Sequence, residues 1–297
     1  MNRRRMLMLF VDGLGLGSGD PAANPLAAHP DLWPTQAGAA LDGWSWRPLD
    51  ACLGVEGLPQ SATGQTALLT GVNAPRLLGK HLPGFPSRRL VEILERDSLF
   101  VRLKAGGCQA TFANAYRHPE DVNPAGRLSV TSHALRASGQ TFRSLEHLRA
   151  GQAVCHDFTN RLLIERGYDA PEWTPEQAAA VLADLAREHH FTLYEHFLTD
   201  MAAHSGDGAE IARRVEELSR FVRAVRDRLR GAGVLVALTS DHGNIEEAGV
   251  RTHTRNPVPL MWPDGAGFPL DPLPEDLTGV VPWILRLLEC PDPPRHP

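Results

Sequence analysis

The stretch from Val234 to Asn244, Val-Leu-Val-Ala-Leu-Thr-Ser-Asp-His-Gly-Asn, joins a short apolar run directly to an adjacent aspartate and histidine. Five consecutive apolar residues between Gly233 and polar residues predict a strand that is buried on both faces. In open α/β sheets, ligands bind beyond the carboxyl ends of the strands. Aspartate and histidine are common metal ligands, so this stretch predicts a sheet that carries a site at its carboxyl edge.

The rest of the chain alternates between strand and helix patterns, which predicts an α/β fold with a mostly parallel central sheet and helices on both faces. The predicted strands are 6–11, 109–113, 191–198, 234–238 and, as an edge strand because of its prolines, 258–262. The predicted helices are 66–70, 90–103, 176–188, 207–230 and 277–288, with shorter patterns at 130–136 and 158–166. We expect a single catalytic domain over 1–297, with 114–171 forming a small cap insert.

The composition excludes several classes of protein. The formal net charge is −5 and the basic residues are dispersed, which argues against nucleic acid as a partner but permits a small phosphorylated substrate. No apolar run approaches the ~20 residues of a membrane span. The four cysteines are far apart, which predicts a reduced, cytoplasmic protein without a disulfide framework. The composition does not indicate an oligomeric state.

Four segments supply residues that are suited to binding metal. Each lies at or near the end of a predicted strand or in a loop beside one, and each taken alone has a simpler interpretation as a turn, a helix start or a surface histidine. Together they provide three carboxylates and three imidazoles, a set that suits two ions of Zn²⁺ or Mn²⁺ better than one. The candidate ligands are Asp12, Asp200, His204, Asp241, His242 and His253.

Ser61 is the candidate nucleophile. The segment from Gln60 to Gly71 is small and polar and then helical, which places Ser61 near a helix N-terminus, where free N–H groups favour an anion. A serine hydroxyl is a weak nucleophile at neutral pH and needs activation, which metal coordination can provide. The alternative interpretation is that Ser61 only caps the helix.

These motifs resemble the alkaline phosphatase superfamily. The run from Ser61 to Val72 resembles the nucleophile helix of alkaline phosphatases, whereas 200–206, 239–246 and 252–259 are more similar to the metal-binding core of cofactor-independent phosphoglycerate mutase and phosphopentomutase. The resemblance implies an alkaline phosphatase-like fold and attack by Ser61 to form a phosphoserine. It further implies that one ion is held by Asp200, His204 and His253, and that the other is held by Asp12, Asp241 and His242 together with Ser61.

Several departures from these families bear on the reaction. The insert is short, and the mutase motif Asn-Ser-Glu-x-Gly-His is missing, with Gln65 in place of its histidine. The aspartate that precedes the serine in alkaline phosphatases is Gln60, and their third metal site is not apparent. We therefore expect a two-metal phosphohydrolase acting on a small phosphate monoester. The alternatives are a phosphomutase of the phosphoglycerate or phosphopentose type, a phosphodiesterase and a non-catalytic metal-binding relic.

Candidate substrate-binding residues follow the nucleophile helix and the second predicted strand. A solvated surface position is an equally simple interpretation for each of them. The candidates are Lys80, His81, Asn114 and Arg117, with His118 and Arg127 beside them.

Overall fold

The computed structural model describes residues 3–38, 41–117 and 127–291, so His118 lies outside the described residues. Within these ranges the strands are β1 (Arg5–Val11), β2 (Trp44–Leu49), β3 (Ala110–Phe112), β4 (Ala115–Tyr116), β5 (Arg143–Ser144), β6 (Phe191–His196), β7 (Val234–Thr239) and β8 (Val258–Pro263). The helices are α1 (Ser61–Thr70), α2 (Ala74–Leu78), α3 (Arg88–Asp97), α4 (Leu99–Ala105), α5 (Val130–Ala137), α6 (Leu145–Arg149), α7 (Arg161–Glu165), α8 (Pro175–Glu188), α9 (Leu198–Ser205), α10 (Gly208–Leu229) and α11 (Val280–Leu287).

The central sheet has six strands in the order β2-β8-β7-β1-β6-β3. β7, β1, β6 and β3 run parallel, whereas β8 is antiparallel to both of its neighbours. The prediction that β8 is an edge strand is wrong, because β2, which the sequence did not reveal, pairs along its outer side. Pro259 lies opposite Pro48 in this pairing, so the two residues that lack an N–H group face each other.

Both faces of the sheet are covered by helices. Along β1, Met6, Met8 and Phe10 join the core on one face, and Leu7, Leu9 and Val11 join the core on the other. The first face packs against α1, α3, α4, α5 and α11, and the second packs against α8, α9 and α10. This double burial explains the uninterrupted apolar run of β1 and confirms a mostly parallel sheet between two helical layers.

The predicted helix over 90–103 is wrong as a single element, because the chain forms α3 and α4 with a break at Ser98. Ser98 has an extended conformation, with φ −61° and ψ 149°, and its buried hydroxyl donates to the Ala134 carbonyl at 3.3 Å. A serine hydroxyl that bonds to neighbouring backbone competes with helix continuation. The break thus ties this helical layer to α5.

α10 confirms the prediction of a long amphipathic helix. Its buried stripe recurs every three or four residues, and the Asp207 carboxylate caps its first turn by accepting from the N–H groups of Ala209 and Glu210. Among the helices of the described ranges, none combines the length and the apolarity that crossing a membrane would require.

The segment after β3 builds a small second layer. β4 and β5 form a two-stranded parallel sheet, and α6 and α7 pack beside it around a core that includes Leu145, Leu148 and Cys155. α5 differs from these elements, because its buried residues Val130 and Ala134 belong to the core under the main sheet.

Candidate active site and metal centre

The candidate ligands meet at one edge of the central sheet. Asp12 follows β1, Asp200 lies in the first turn of α9 just after β6, and the Asp241-His242 pair follows β7. His253 lies in the loop before β8 and reaches the same edge because β8 runs in the opposite direction. The structure therefore brings together all six residues, which are widely separated along the chain.

The first group comprises Asp200, His204 and His253, whose ligand atoms lie within 4.8 Å of one another. Asp200 and His204 are four residues apart on α9, so they lie on one face of the helix, with Oδ2 and Nε2 separated by 3.3 Å. The Nε2 atom of His253 is 3.6 Å from Asp200 Oδ1 and 3.1 Å from the Nε2 atom of His204.

The tautomers of these two histidines are fixed by the backbone. His204 Nδ1 donates to the Arg251 carbonyl, and His253 Nδ1 donates to the Pro59 carbonyl, each at 2.8 Å. In the neutral rings, both Nε2 lone pairs are then directed into the 3.1 Å gap between them. Such carbonyl-anchored imidazoles are typical of metal ligands, and a cation in this group would relieve the repulsion between the lone pairs.

The second group comprises Asp12, Asp241, His242 and Ser61. His242 Nε2 is 3.3 Å from Asp12 Oδ1, 3.5 Å from Asp241 Oδ2 and 3.0 Å from Ser61 Oγ. Asp12 Oδ1 and Asp241 Oδ2 are buried and have no hydrogen-bond partner. Unpartnered buried carboxylate oxygens are costly, and a divalent cation is a partner that fits this donor set. Asp200 also lies within reach of Asp12 and His242, which places its carboxylate between the two groups.

Burial controls the protonation of the second group. Removal from water, reinforced by the neighbouring carboxylates, raises the pKa of Asp12 well above its ordinary value and that of Asp241 to about 7. Burial also lowers the pKa of His242 to about 3, which keeps the imidazole neutral, as a metal ligand must be. A positive charge close by would therefore favour the ionised form of both carboxyl groups.

Ser61 is the first residue of α1. Gln60, in extended conformation, occupies the N-cap position, and the Gly64 N–H makes the first helical bond to the Gln60 carbonyl. The N–H groups before Gly64 are thus the unpaired donors of the helix end, beside the Ser61 hydroxyl. A Cβ added to Gly64 would lie 2.7 Å from the Asp241 carbonyl oxygen, so the helix approaches the second group closely.

Two residues that sequence reasoning did not assign hold the carboxylates in place. Gln65 Nε2 donates to Asp12 Oδ2 at 3.1 Å, and Asn244 Nδ2 donates to Asp200 Oδ1 at 2.7 Å. Gln65 lies one turn after Ser61, and Asn244 lies two residues after His242. Their proximity to the motifs was the only signal that the sequence offered.

Glu246 braces the loops under the site. Its buried carboxylate accepts from the N–H groups of Gly15 and Asn244, at 2.9 and 2.7 Å, and from the Thr254 hydroxyl. A Cβ on Gly15 or on Gly243 would collide with this carboxylate, which explains glycine at both positions. Glu246 therefore links the loop after β1 to both sides of the loop that joins β7 and β8.

A cleft of about 450 Å³ opens over Ser61, Asp12 and Asp200. Asn114 and Arg117 line it, although both polar ends of the Asn114 amide are bonded to the backbone of Glu195, at 2.7 and 2.9 Å. Glu195, which the sequence analysis did not single out, also lines the cleft, and burial raises the pKa of its carboxyl to about 7.

Lys80 and His81 lie outside this lining. His81 Nε2 is 3.4 Å from the Val55 carbonyl, and burial lowers the pKa of its imidazole. Lys80 is exposed, in the loop after α2. Of the four substrate-binding candidates, the structure thus brings Asn114 and Arg117 to the nucleophile and leaves Lys80 and His81 apart from it.

Comparison with known proteins agrees with this geometry. Residues 167–266 match the family model described as the Metalloenzyme superfamily. The 2,3-bisphosphoglycerate-independent phosphoglycerate mutase of Legionella pneumophila (strain Corby) is 29% identical over 133 residues, which are 42% of this chain and 25% of the relative. The corresponding enzyme of Rhodopseudomonas palustris is 25% identical over 236 residues, which are 73% of this chain and 46% of the relative. The chain thus spans less than half the length of these relatives.

Solved structures share the fold. Alkaline phosphatase from the Antarctic bacterium TAB5 superposes with a TM-score of 0.56 at 11% identity, covering 98% of this chain and 100% of the other. Leishmania mexicana phosphoglycerate mutase superposes with a TM-score of 0.51 at 13% identity, covering 100% and 97%.

The sheet, the metal-compatible groups and these matches support an alkaline phosphatase-like superfamily metalloenzyme. This is a superfamily of metal-dependent phosphoryl-transfer enzymes.

Proposed function

We propose that this chain is a two-metal phosphohydrolase that cleaves a small phosphate monoester through a phosphoserine intermediate on Ser61. The observation that carries the proposal is the position of Ser61 Oγ, 3.0 Å from His242 Nε2 and beside the unpartnered oxygens of Asp12 and Asp241. This position, at the amino end of a helix, supports Ser61 as a hydroxyl nucleophile beside the candidate ligands.

We assign the same ligand sets that the sequence resemblance implied. Asp200, His204 and His253 would hold one ion of Mn²⁺ or Zn²⁺. The second ion would be held by Asp12, Asp241, His242 and Ser61. When bound, the ions would favour the alkoxide form of serine and neutralise charge on the transferred phosphoryl group.

The residues of the chain would then act in two displacements. Ser61 Oγ attacks phosphorus and loses its proton to solvent, while the bond from phosphorus to the alcohol oxygen breaks and the leaving alkoxide takes up a proton from solvent to depart as the alcohol. Water next attacks phosphorus, and the bond to Ser61 Oγ breaks to release inorganic phosphate. Throughout, the free N–H groups at the start of α1 favour phosphate oxygens in front of the serine.

A phosphomutase is the second candidate, favoured by the names of the curated relatives. We prefer hydrolysis because a mutase must retain its dephosphorylated intermediate, and the segment over the cleft is short. A phosphodiesterase and a non-catalytic relic are further outcomes that the same experiment distinguishes.

The proposal includes the organisation of the chain. We propose that 1–297 forms one catalytic domain and that 114–171 is its small cap, which is supported by Tyr116, Ser132 and His156 in the lining of the cleft. A cytoplasmic location is part of the same proposal, supported by four cysteines that are all free.

Turnover by metal-stripped protein that is reloaded separately with Mn²⁺ and Zn²⁺ tests the proposal. The substrates are p-nitrophenyl phosphate, bis-p-nitrophenyl phosphate and 3-phosphoglycerate, with free phosphate and isomer formation both monitored. Metal-dependent phosphate release from the monoester supports the hydrolase, and faster diester cleavage indicates a phosphodiesterase. Isomer formation without phosphate release establishes the mutase, and inertness of the loaded protein favours the relic.

Ser61→Ala should lower kcat by about 10³-fold or more, because the covalent intermediate cannot form. Metal content, measured by mass spectrometry at saturating metal, should stay close to the wild-type level, because Asp12, Asp241 and His242 remain to hold the second ion. Ser45→Ala is the matched control, since Ser45 lies on β2 and its hydroxyl donates to Asp264. An alanine variant that keeps wild-type turnover would rule out the covalent mechanism.

A further inference from the structure

Apolar side chains, most of them aromatic, form part of the wall of the cleft above Ser61. They come from separate stretches of the chain. They are Phe85, Phe112, Tyr116, Phe197 and Met201, with Leu128 beside them.

Two of these side chains are unusually exposed. Phe85 is 47% exposed and Met201 is 54% exposed, and few large apolar side chains of the described residues reach such values. Scattered exposed apolar residues are ordinary, but two that line one reactive cleft form a local patch. Met201 directly follows the candidate ligand Asp200, so this patch begins next to the site of chemistry.

Other rings of the wall are packed against neighbouring side chains. The ring of Phe197 stacks on His156, with centroids 4.3 Å apart and planes at 16°, and burial lowers the pKa of His156 to about 4. The Tyr116 hydroxyl is bonded to Ser132 Oγ at 2.7 Å, and its ring packs edge-on against Phe142. These rings are held by neighbours and present a preformed apolar surface.

The cations in the described lining are Arg117 and Arg127. The guanidinium of Arg127 lies 5.7 Å from the centre of the Phe85 ring, so this charge is itself associated with the aromatic patch. The basic candidates Lys80 and His81, which could have held a carboxylate-bearing substrate, lie outside the lining.

We infer that the alcohol part of the substrate carries an aromatic ring, which packs against Phe85 and Met201 while the phosphate faces Ser61. The inference rests on the proposed function, since it assigns the organic half of the same phosphate monoester. It distinguishes this site from one built for a small, highly polar substrate such as phosphoglycerate.

Comparison of 2-phenylethyl phosphate with ethyl phosphate tests the inference, because the two alkoxide leaving groups are similar and only one substrate has a ring. The wild type should show a kcat/KM about 10- to 100-fold higher for the phenylethyl ester, the gain expected from burying a ring. Phe85→Ala and Met201→Ala should each reduce this ratio. Ile164→Ala, at an apolar position that is 40% exposed and lies outside the cleft, should leave the ratio unchanged.

A ratio near one in the wild type would overturn the inference, as would a larger kcat/KM for 3-phosphoglycerate than for the phenylethyl ester. If no monoester is turned over, the proposed function fails. The aromatic subsite is then tested separately, by measuring ligand binding. Calorimetry on the metal-loaded protein should then show phenylphosphonate binding about tenfold or more tightly than methylphosphonate, with Phe85→Ala abolishing the difference. Equal binding of the two phosphonates would refute the subsite.

Discussion

Gln65 affects the site without being a candidate ligand itself. It stands where the related mutases have histidine, and its amide donates to Asp12 Oδ2 at 3.1 Å. The other oxygen of Asp12 is then free to lie 3.3 Å from His242 Nε2. Loss of a group that orients a ligand in this way typically costs about 10- to 100-fold in metal affinity.

Gln65→Ala should weaken metal binding by about 10- to 100-fold, because Asp12 loses the contact that fixes its orientation. Competition with a chelator of known affinity measures the change. Gln60→Ala is the matched control, since the Gln60 side chain makes no capping hydrogen bond and should affect metal affinity little. Equal affinities of the wild type and Gln65→Ala would contradict the orienting role.

At the scale of residues, the sequence indicated the candidate ligands better than the residues that hold those ligands in position. Asp241 and His242 follow a buried strand, so their residue types and their position beyond the strand end both indicated a candidate metal site. Glu246 was not assigned, although it lies in the same motif, because its partner Gly15 is 231 positions away. Only folding brings the two together.

Among the elements, α1 is positioned by its contact with the loop after β7. Gly64 faces the backbone of Asp241, and a Cβ there would lie 2.7 Å from the carbonyl oxygen and 3.1 Å from the Asp241 Cβ. Neither obstacle is the far end of a flexible side chain. The absence of a side chain at Gly64 therefore allows Ser61 to lie close to Asp241 and its neighbours in the second group.

Gly64→Ala should reduce the free energy of unfolding by about 1–3 kcal/mol, because the helix must move away from the loop. The same displacement should lower kcat. Gly208→Ala, at the start of α10 with no atom within 4 Å of the added Cβ, should be neutral or stabilising by up to about 1 kcal/mol. Urea unfolding of both variants makes the comparison, and a neutral Gly64→Ala would show that α1 tolerates displacement.

Elements with strong periodicity were predictable, and elements defined by tertiary contacts were not. α10 carries a continuous apolar stripe, and β7 is an unbroken apolar run. β2 has neither signal, because it is only partly buried and contains a proline that its pairing with β8 accommodates. The break between α3 and α4 depends likewise on a bond from Ser98 to α5.

Across the whole molecule, the site concentrates carboxyl groups whose charge opposes folding. The folded-state pKa of Asp241, about 7, exceeds its ordinary value of 3.8, so the folded chain holds this proton more tightly than the unfolded chain. The resulting stabilisation is complete below pH 3.8 and is lost as the pH rises through 7. Glu195 acts in the same direction. The lowered pKa of His242 acts in the opposite direction, but only below its ordinary value of 6.5.

Metal-stripped protein should therefore lose on the order of 1–2 kcal/mol of unfolding free energy between pH 6.5 and pH 8, where the buried carboxyl groups of the site lose their protons. Urea unfolding in the presence of a chelator measures the loss. Asp241→Asn should show a smaller loss, because the amide cannot ionise. A stability that rises over this interval would contradict the assigned direction of the carboxyl pKa shifts.

The sequence predicted the class of fold and the edge of the sheet that carries the candidate ligands, because both follow from local patterns repeated along the chain. The aromatic cleft had no such signal. Phe85, Phe112 and Phe197 come from separate segments, and each alone resembles an ordinary apolar residue. Their common position in the cleft beside Ser61 is apparent only in the folded structure.

Because β8 follows β1 and β7 in the sequence, the candidate ligand before β8 is synthesised after the ligands that follow those two strands. His253 is synthesised more than two hundred residues after Asp12, just ahead of β8. A growing chain thus exposes acidic groups long before the imidazole that completes their set has been synthesised. The candidate ligand set would therefore be complete only when β8 and the loop before it have folded against β7.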